Sequence, residues 1–282
     1  MSLQISSERI GNPLLVDLLR KVSECFAKID QEFFVIGATA RDIIVRQLVE
    51  ASSPRRTRDL DLAIAIPDWS AFDAITKALL ACGLRKDMTM KQRFYDGDYE
   101  LDLVPYGAVA KEDEQIYWPP EENIAMSVKG FEDALSDAIT VNIDGEFDVK
   151  VASLPGLFIL KFSAWLDRHH STRKDADDMG FIIDQYFLAN LKRDLHPEVY
   201  DWVDFDPWIV GAYWLAHDIS DLLSARQLNF YADQMKAQCE LDDRSLLMLH
   251  FLESSSSMTF ERVQSGLLRM IQVWDEALEK DR

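Results

Sequence analysis

Residues 59–66 read DLDLAIAI, a segment in which acidic and apolar side chains alternate before the run becomes wholly apolar. Successive side chains of a strand point to opposite faces, so Asp59 and Asp61 share one face while Leu60 and Leu62 share the other. The Cα atoms of the two aspartates would lie roughly 6 to 7 Å apart. A divalent cation that prefers oxygen ligands relieves the repulsion between such carboxylates, and magnesium is the usual one beside a triphosphate. An edge strand with one wet face is the structural alternative.

The segment before this strand predicts a turn suited to a phosphate. Apolar residues recur at helical spacing over 14–26, and 31–36 reads as a short buried strand that ends at Gly37. A second helix is predicted over Thr39–Val49, so the turn presents backbone amides and the positive end of a helix. The polar stretch 50–58, which contains a proline, predicts a loop.

The segment after the strand predicts one more helix, two hairpins and then helices only. The helix is expected over 68–82, and the hairpins turn at Asp96-Gly97 and Asp144-Gly145, dipeptides that favour tight turns between antiparallel strands. Helical spacing of apolar residues dominates after the second hairpin. We therefore predict an α+β domain with a mixed sheet flanked by helices over 1–150 and a mostly helical domain over 151–282.

The first hairpin offers a third carboxylate. Its second strand contains Glu100-Leu101-Asp102-Leu103, in which Asp102 is the candidate. Glu100 has the same strand parity and could replace Asp102, so both remain open at this point.

Composition restricts the class of protein. The chain has 282 residues and a net charge of -19, and that charge disfavours a polyanion as partner unless the basic groups gather on one face. It contains neither an apolar run of about 18 residues nor a signal-like N-terminus, so a cytoplasmic protein without a membrane partner is expected. The three cysteines show no spacing typical of a disulfide framework or a zinc site.

A lysine interrupts an otherwise apolar helix. Residues 154–166 read LPGLFILKFSAWL, which predicts a buried helix in which Lys161 shares a stripe with Leu157, Ala164 and Trp165. An unpaired ammonium there would cost several kcal/mol, so a carboxylate or a phosphate should lie beside it.

Two aspartates follow that helix in a Lys-Asp-x-x-Asp pattern. Asp175 and Asp178 are three residues apart and lie on one helical stripe, so both could face inward. The structural alternative is that Thr172 and Asp175 form a capping box and that Asp178 only pairs with Lys161.

The order of these motifs resembles the nucleotidyltransferase core of the polymerase-beta-like superfamily. The relevant segments are GATARD at 37–42, TRDLDLAI at 57–64 and ELDLVPYG at 100–107. The resemblance implies that Asp59 and Asp61 hold magnesium, two ions in all, together with a nucleoside triphosphate. It also implies that Asp102 joins the metal ligands and helps to activate the attacking hydroxyl.

The same resemblance assigns the triphosphate to residues around the turn. They are Gly37, Thr39, Arg41 and Arg58. This chain departs from the superfamily, because the turn reads Gly-Ala rather than Gly-Gly or Gly-Ser and its hydroxyl comes one position later, at Thr39. The loop between the turn and Asp59 is also longer than in minimal members of the superfamily. The added length costs little free energy, because the entropy of loop closure rises slowly with length.

The lysine helix extends the resemblance to the AbiEii family, toxins of type IV toxin-antitoxin pairs. Lys161, Arg168 and the Lys-Asp-x-x-Asp pattern carry it, and it covers about 31–184. It implies that Lys161 binds the triphosphate and that Asp175 or Asp178 orients that lysine or the acceptor, with Lys174 a weaker candidate. The helical domain would then complete the active-site cleft, with RNA, tRNA included, as acceptor and an antitoxin as partner.

Two other functions fit parts of the pattern. A small-molecule nucleotidyltransferase, such as one that adenylylates aminoglycosides, suits the acidic surface because a cationic acceptor would be attracted. A catalytically silent nucleotide-binding or regulatory protein on the same fold would explain the altered turn. The presence of all three carboxylates argues against the silent protein.

Overall fold

The computed structural model describes residues 2–49, 59–120, 122, 125–193, 195–255 and 257–280. The chain separates into two compact units, Met1–Ser153 and Leu154–Arg282. The first combines strands with helices and the second is helical, as the sequence predicts.

The described strands of the first unit form an eight-stranded mixed sheet and a separate two-stranded sheet. In chain order the strands are β1 (Ser2–Ile5), β2 (Phe34–Ile36), β3 (Asp59–Ala65), β4 (Arg85–Lys86), β5 (Arg93–Asp96), β6 (Tyr99–Tyr106), β7 (Gln115–Tyr117), β8 (Ala125–Ser127), β9 (Ile139–Ile143) and β10 (Phe147–Val151). The order across the larger sheet is β1-β9-β10-β2-β3-β6-β5-β4, and β7 pairs with β8.

The DLDLAIAI segment is a central strand. β3 pairs antiparallel with β2 and parallel with β6, so both of its edges are occupied. The edge-strand alternative is therefore wrong. In the first half of β3 the half-buried Asp59 and Asp61 alternate with the buried Leu60 and Leu62.

The described helices of the first unit are α1 (Ser7–Ile10), α2 (Pro13–Ala27), α3 (Gly37–Val49), α4 (Trp69–Ala81) and α5 (Phe131–Ser136). Side chains cap the amino ends of α2 and α4. The Asn12 side chain accepts a hydrogen bond from the Leu15 amide at the start of α2, and Asp68 accepts one from the Ala71 amide at the start of α4. Each cap satisfies an amide that the first helical turn leaves without a partner.

Some strands follow the sequence prediction and others do not. Both hairpins form, the second at Asp144-Gly145 as expected and the first one residue later than expected, at Gly97-Asp98, whereas β2 begins at Phe34 rather than residue 31. The sequence pattern did not reveal β1, β4, β7 or β8, which are short. β1 is held by parallel pairing with β9, a contact that joins distant parts of the chain.

The second unit consists of helices around a core rich in aromatic side chains. Its α-helices are α6 (Leu154–Arg168), α7 (Lys174–Ala189), α8 (Pro207–Leu222), α9 (Ala225–Glu240), α10 (Leu246–Ser254) and α11 (Phe260–Lys280). Trp208, Trp214 and Trp274 are fully buried in this core. α7 and α8 approach so closely that a Cβ on Gly211 would lie 2.4 Å from the Ile183 carbonyl oxygen.

The length and composition of each helix determine whether it could span a membrane. Within the described part of the chain, no helix is both long enough and apolar enough to span a bilayer.

Candidate active site

Four carboxylates line one face of two adjacent strands. β3 and β6 run parallel with Asp59 opposite Glu100 and Asp61 opposite Asp102. Residues opposite each other on neighbouring strands point to the same side of a sheet. These four side chains are half-buried, whereas the alternate positions Leu60, Leu62, Leu101 and Leu103 are fully buried. The structure thus brings together the carboxylates that the alternation predicted, and it keeps Glu100 beside Asp102.

Gly37 makes room for one of these carboxylates. Its φ of +71° lies in the left-handed region, and a Cβ at this position would be only 2.2 Å from Oδ2 of Asp61. Glycine satisfies both conditions because it has no Cβ. Since α3 begins at Gly37, the amino end of a thirteen-residue helix lies against the Asp61 carboxylate.

The other predicted triphosphate ligands have structural contacts. Thr39 is buried, and its hydroxyl donates to the Asp59 carbonyl oxygen at 3.0 Å, which ties α3 to β3. The Arg41 guanidinium is also buried and donates to Asp42 at 2.9 and 2.7 Å. Arg58 lies outside the described residues. The role of these residues toward a triphosphate stays a prediction.

An arginine that sequence reasoning missed binds the carboxylates of β6. Arg93 of β5 donates from Nε and Nη2 to the two oxygens of Asp102, both at 2.7 Å, and its Nη1 lies 2.6 Å from Glu100 Oε2. The hydrogen bond with Asp102 raises the pKa of Arg93 above the ordinary value for arginine, and the charges of Asp102 and Glu100 add to this effect. Arg93 is opposite Asp102 in the antiparallel register because the loop residues of the hairpin are Gly97 and Asp98. A turn centred on Asp96-Gly97, as predicted, would have placed Arg93 opposite Glu100.

Metal binding on this acidic face stays a prediction. Among the described residues, no three or more His, Cys, Asp or Glu side chains are arranged to hold a metal ion. Asp59 and Asp61 share one face of β3, and Gly37 accommodates the Asp61 carboxylate where a Cβ would otherwise be. Such a donor set suits magnesium. Asp102 differs because Arg93 engages both of its oxygens.

The second unit contains the lysine and the Lys-Asp-x-x-Asp pattern. Lys161 Nζ lies 2.7 Å from Asp178 Oδ2 and 3.4 Å from Asp175 Oδ1. Arg168 donates to both oxygens of Asp175, at 2.7 and 2.8 Å. The anion expected beside Lys161 is therefore a pair of carboxylates, and Asp175 and Asp178 both face inward as their stripe predicts.

Asp175 is kept ionised in the interior by its two cationic neighbours. Its side chain has no exposed surface. Burial alone would raise the pKa of this carboxyl, but the hydrogen bonds from Arg168 and the charge of Lys161 outweigh burial, so its pKa is lowered. Asp175 can therefore hold Lys161 and Arg168 in fixed positions at neutral pH.

The capping-box alternative is wrong. The residue before the first turn of α7 is Arg173, which makes no side-chain capping bond. The Thr172 hydroxyl accepts from the Lys174 amide at 3.3 Å, and Asp175 turns inward to Arg168 instead of back toward Thr172. Lys174 itself is exposed on the first turn of α7.

A match to a protein-family model identifies the family of this chain. The model described as nucleotidyl transferase AbiEii toxin, type IV toxin-antitoxin system, matches residues 22–279. The chain is a member of the AbiEii family. The resemblance drawn from Lys161, Arg168 and the aspartate pattern is thereby confirmed, and nucleotidyl transfer is the activity of the class to which this AbiEii chain belongs.

Solved structures similar to this AbiEii chain are distant. Two structures of the antibiotic-resistance factor ANT(2'')-Ia, one in solution and one in complex with adenylyl-2''-tobramycin, each cover 64% of the chain, at 15% and 14% identity, and 84% and 89% of their own length. Both have a TM-score of 0.35. JHP933 from Helicobacter pylori covers 98% of the chain and 96% of its own length, at 15% identity and a TM-score of 0.40. No significant match was found among curated proteins.

Proposed function

We propose that this AbiEii-family chain transfers a nucleoside monophosphate from a nucleoside triphosphate to a hydroxyl of RNA, with pyrophosphate as the leaving group. The observation that carries the proposal is the acidic face on which Asp61 and Asp102 are in register on parallel strands, with the glycine turn of α3 against Asp61. Carboxylates and a helix amino end together suit a metal-bound triphosphate.

Each part of this acidic face has a role in the proposal. Asp59 and Asp61 would hold magnesium, which supplies positive charge against the phosphates and the leaving group. Gly37 lets the α3 amides approach the same phosphates. Asp102 would accept the proton of the attacking hydroxyl, and its carboxylate is held in one orientation by Arg93.

Lys161 would supply further positive charge to the triphosphate. Its side chain is 18% exposed and its ammonium is held by Asp175 and Asp178, so its position is fixed before a ligand arrives. A fixed cation loses little conformational freedom when it binds a phosphate. Asp175 and Asp178 would therefore act by orienting Lys161. Lys174 remains a weaker candidate for binding the triphosphate.

RNA, tRNA included, is the acceptor that we propose, because the family description is that of a toxin and modified RNA would stop growth. The same description names a type IV toxin-antitoxin system, so we also propose an antitoxin partner. Triphosphates and RNA are both available in the cytoplasm, where we expect the chain to act.

A small-molecule acceptor is the second candidate. The net charge of -19 favours a cationic acceptor such as an aminoglycoside and disfavours approach of a polyanion. The two candidates make opposite predictions about which acceptor becomes labelled.

The purified chain should be incubated with magnesium, each α-labelled nucleoside triphosphate, and either total cellular RNA or a set of aminoglycosides. We expect labelled RNA and released pyrophosphate with at least one triphosphate, and neither product with Asp61→Asn. Label on an aminoglycoside alone would replace the RNA proposal by the second candidate. Absence of both products with all triphosphates would contradict nucleotidyl transfer to either acceptor.

A further inference from the structure

Two cysteines that are far apart in the sequence meet in the first unit. Cys25 lies near the end of α2, and Cys82 directly follows α4. We propose that Cys25 and Cys82 form an oxidisable dithiol, a modification site at which a peroxide converts the two thiols into a disulfide. The proposal concerns a different site from the acidic face and does not depend on the proposed function.

A backbone carbonyl of α4 connects the two residues. The Cys25 thiol donates to the Ala78 carbonyl oxygen at 3.4 Å, and the Cys82 amide donates to the same oxygen at 3.0 Å. The Cys25 sulfur therefore lies no farther from the Cys82 nitrogen than these two distances together. The two thiols also share a side-chain hydrogen bond. Since a disulfide requires Cβ atoms about 4 Å apart, thiols already in contact need only a small adjustment to form one.

The two thiols differ in their access to an oxidant. The Cys25 side chain is 1% exposed, whereas Cys82 is only partly buried. Burial raises the pKa of the Cys25 thiol to about 12, and the contact with Cys82 acts in the same direction, against a smaller opposing effect of Lys28. The thiolate is the reactive form of cysteine. Cys82 is therefore the residue that meets the oxidant, and Cys25 is the residue that then completes the disulfide.

The chemistry of the step is balanced by one peroxide. The Cys82 thiolate attacks one oxygen of hydrogen peroxide, the O–O bond breaks, and a sulfenic acid forms with loss of hydroxide. The Cys25 sulfur then attacks the Cys82 sulfur, the S–O bond breaks and a second hydroxide leaves. The two thiols lose two electrons and two protons in total, and the peroxide is reduced to two molecules of water. Proximity of the two sulfurs offsets the small thiolate fraction of Cys25.

The cross-link would enclose the part of the chain that carries the proposed active site. Between Cys25 and Cys82 lie β2, α3 and β3, and with them Gly37, Asp59 and Asp61. A disulfide stabilises a fold mainly by limiting the freedom of the unfolded chain within the loop that it closes. Oxidation would therefore raise the temperature at which this segment unfolds.

The test is oxidation of the intact, folded chain with hydrogen peroxide, followed by alkylation of free thiols and mass spectrometry of peptides. We expect a Cys25–Cys82 cross-linked peptide that has lost two hydrogen atoms and that a thiol reductant restores, with Cys239 still alkylated. Cys239→Ser, which removes the third cysteine, is the matched control and should form the same cross-link. Cys25→Ser should leave Cys82 as a sulfenic acid that dimedone traps.

The possible results either support or overturn the proposal. Cys25 and Cys82 both still alkylated, Cys82 oxidised to the sulfinic acid without a cross-link, or a disulfide that involves Cys239 would each overturn it. Should Cys25→Ser fail to fold, Cys82→Ser replaces it, and Cys25 should then remain a free thiol after the same treatment. Oxidation of Cys25 in folded Cys82→Ser at the rate of the unaltered chain would contradict the order of the two steps.

Discussion

At the scale of single residues, Gly37 and Asp61 depend on each other. The backbone of Gly37 is left-handed, and the space where its Cβ would be is filled by the Asp61 carboxylate. A side chain at position 37 would therefore strain the backbone and displace a proposed metal ligand. These are separate effects, and a second glycine of the same unit allows them to be measured apart.

We predict that Gly37→Ala loses Mg²⁺-dependent triphosphate binding, whereas Gly97→Ala retains it. Gly97 also has positive φ, +60°, but nothing lies within 4 Å of the position that a Cβ would take, so alanine there costs only backbone strain. Gly97→Ala should lose about 1 to 2 kcal/mol of unfolding free energy from backbone strain, and Gly37→Ala should lose more because its Cβ would also meet the Asp61 carboxylate. Urea unfolding and calorimetric titration provide the two readouts. Equal triphosphate affinity in the two variants would contradict the role given to Gly37.

Some features of single residues could be predicted from the sequence, and others could not. The parity of DLDLAIAI places Asp59 and Asp61 on one face without further information, and the structure agrees. Arg93 was missed because its role depends on cross-strand register, which a single-strand pattern does not contain. The Thr39 hydroxyl was expected to face a phosphate, yet it is used by the Asp59 carbonyl oxygen, a choice that only the folded backbone determines.

At the scale of elements, α6 and α7 are joined by ion pairs as well as by packing. Lys161 and Arg168 of α6 both contact Asp175 of α7, which is fully buried. The lowered pKa of Asp175 means that its charged form is favoured by the fold. Its contribution to stability is therefore complete above the unfolded-state pKa of about 4 and is lost as pH falls through the lower folded-state pKa.

We predict that Asp175→Asn lowers the free energy of unfolding at pH 7 by about 1 to 3 kcal/mol, the usual range for hydrogen bonds to charged groups. The difference from the unaltered chain should shrink as pH falls below about 4, because the unaltered carboxyl then becomes protonated. Asp184→Asn, at an exposed position on the same helix, should change stability by less than about 0.5 kcal/mol. Urea unfolding between pH 3 and 7 measures this, and a difference that is independent of pH would contradict the ion-pair account.

Elements could be predicted from the sequence where local chemistry determines them. The hairpin at Asp144-Gly145 and the buried helix α6 form where expected, and the first hairpin turns one residue later than expected, at Gly97-Asp98. β1 could not be predicted in the same way, since it is stabilised by pairing with β9 and has only four residues. Strand parity likewise did not reveal that β6 is the parallel neighbour of β3, because parallel partners are joined through long crossovers.

At the scale of the whole molecule, the net negative charge disfavours binding of the RNA acceptor that we propose. A net charge of -19 slows the approach of a polyanion to the protein. Binding of a metal-bound triphosphate depends instead on the local acidic face and on the cations held there. Membership of the AbiEii family identifies the class of reaction. We propose that the reaction takes place at the arrangement of Asp59, Asp61, Asp102 and Gly37 in the first unit.

The most direct test of this account is a calorimetric titration of the intact chain with a non-hydrolysable nucleoside triphosphate analogue, with and without magnesium. We expect binding that requires magnesium and that weakens by at least about tenfold, or ~1.4 kcal/mol, in Asp59→Asn and in Asp61→Asn. Binding of equal strength without magnesium, or full affinity in either variant, would contradict the claim that these two aspartates hold the metal-bound triphosphate.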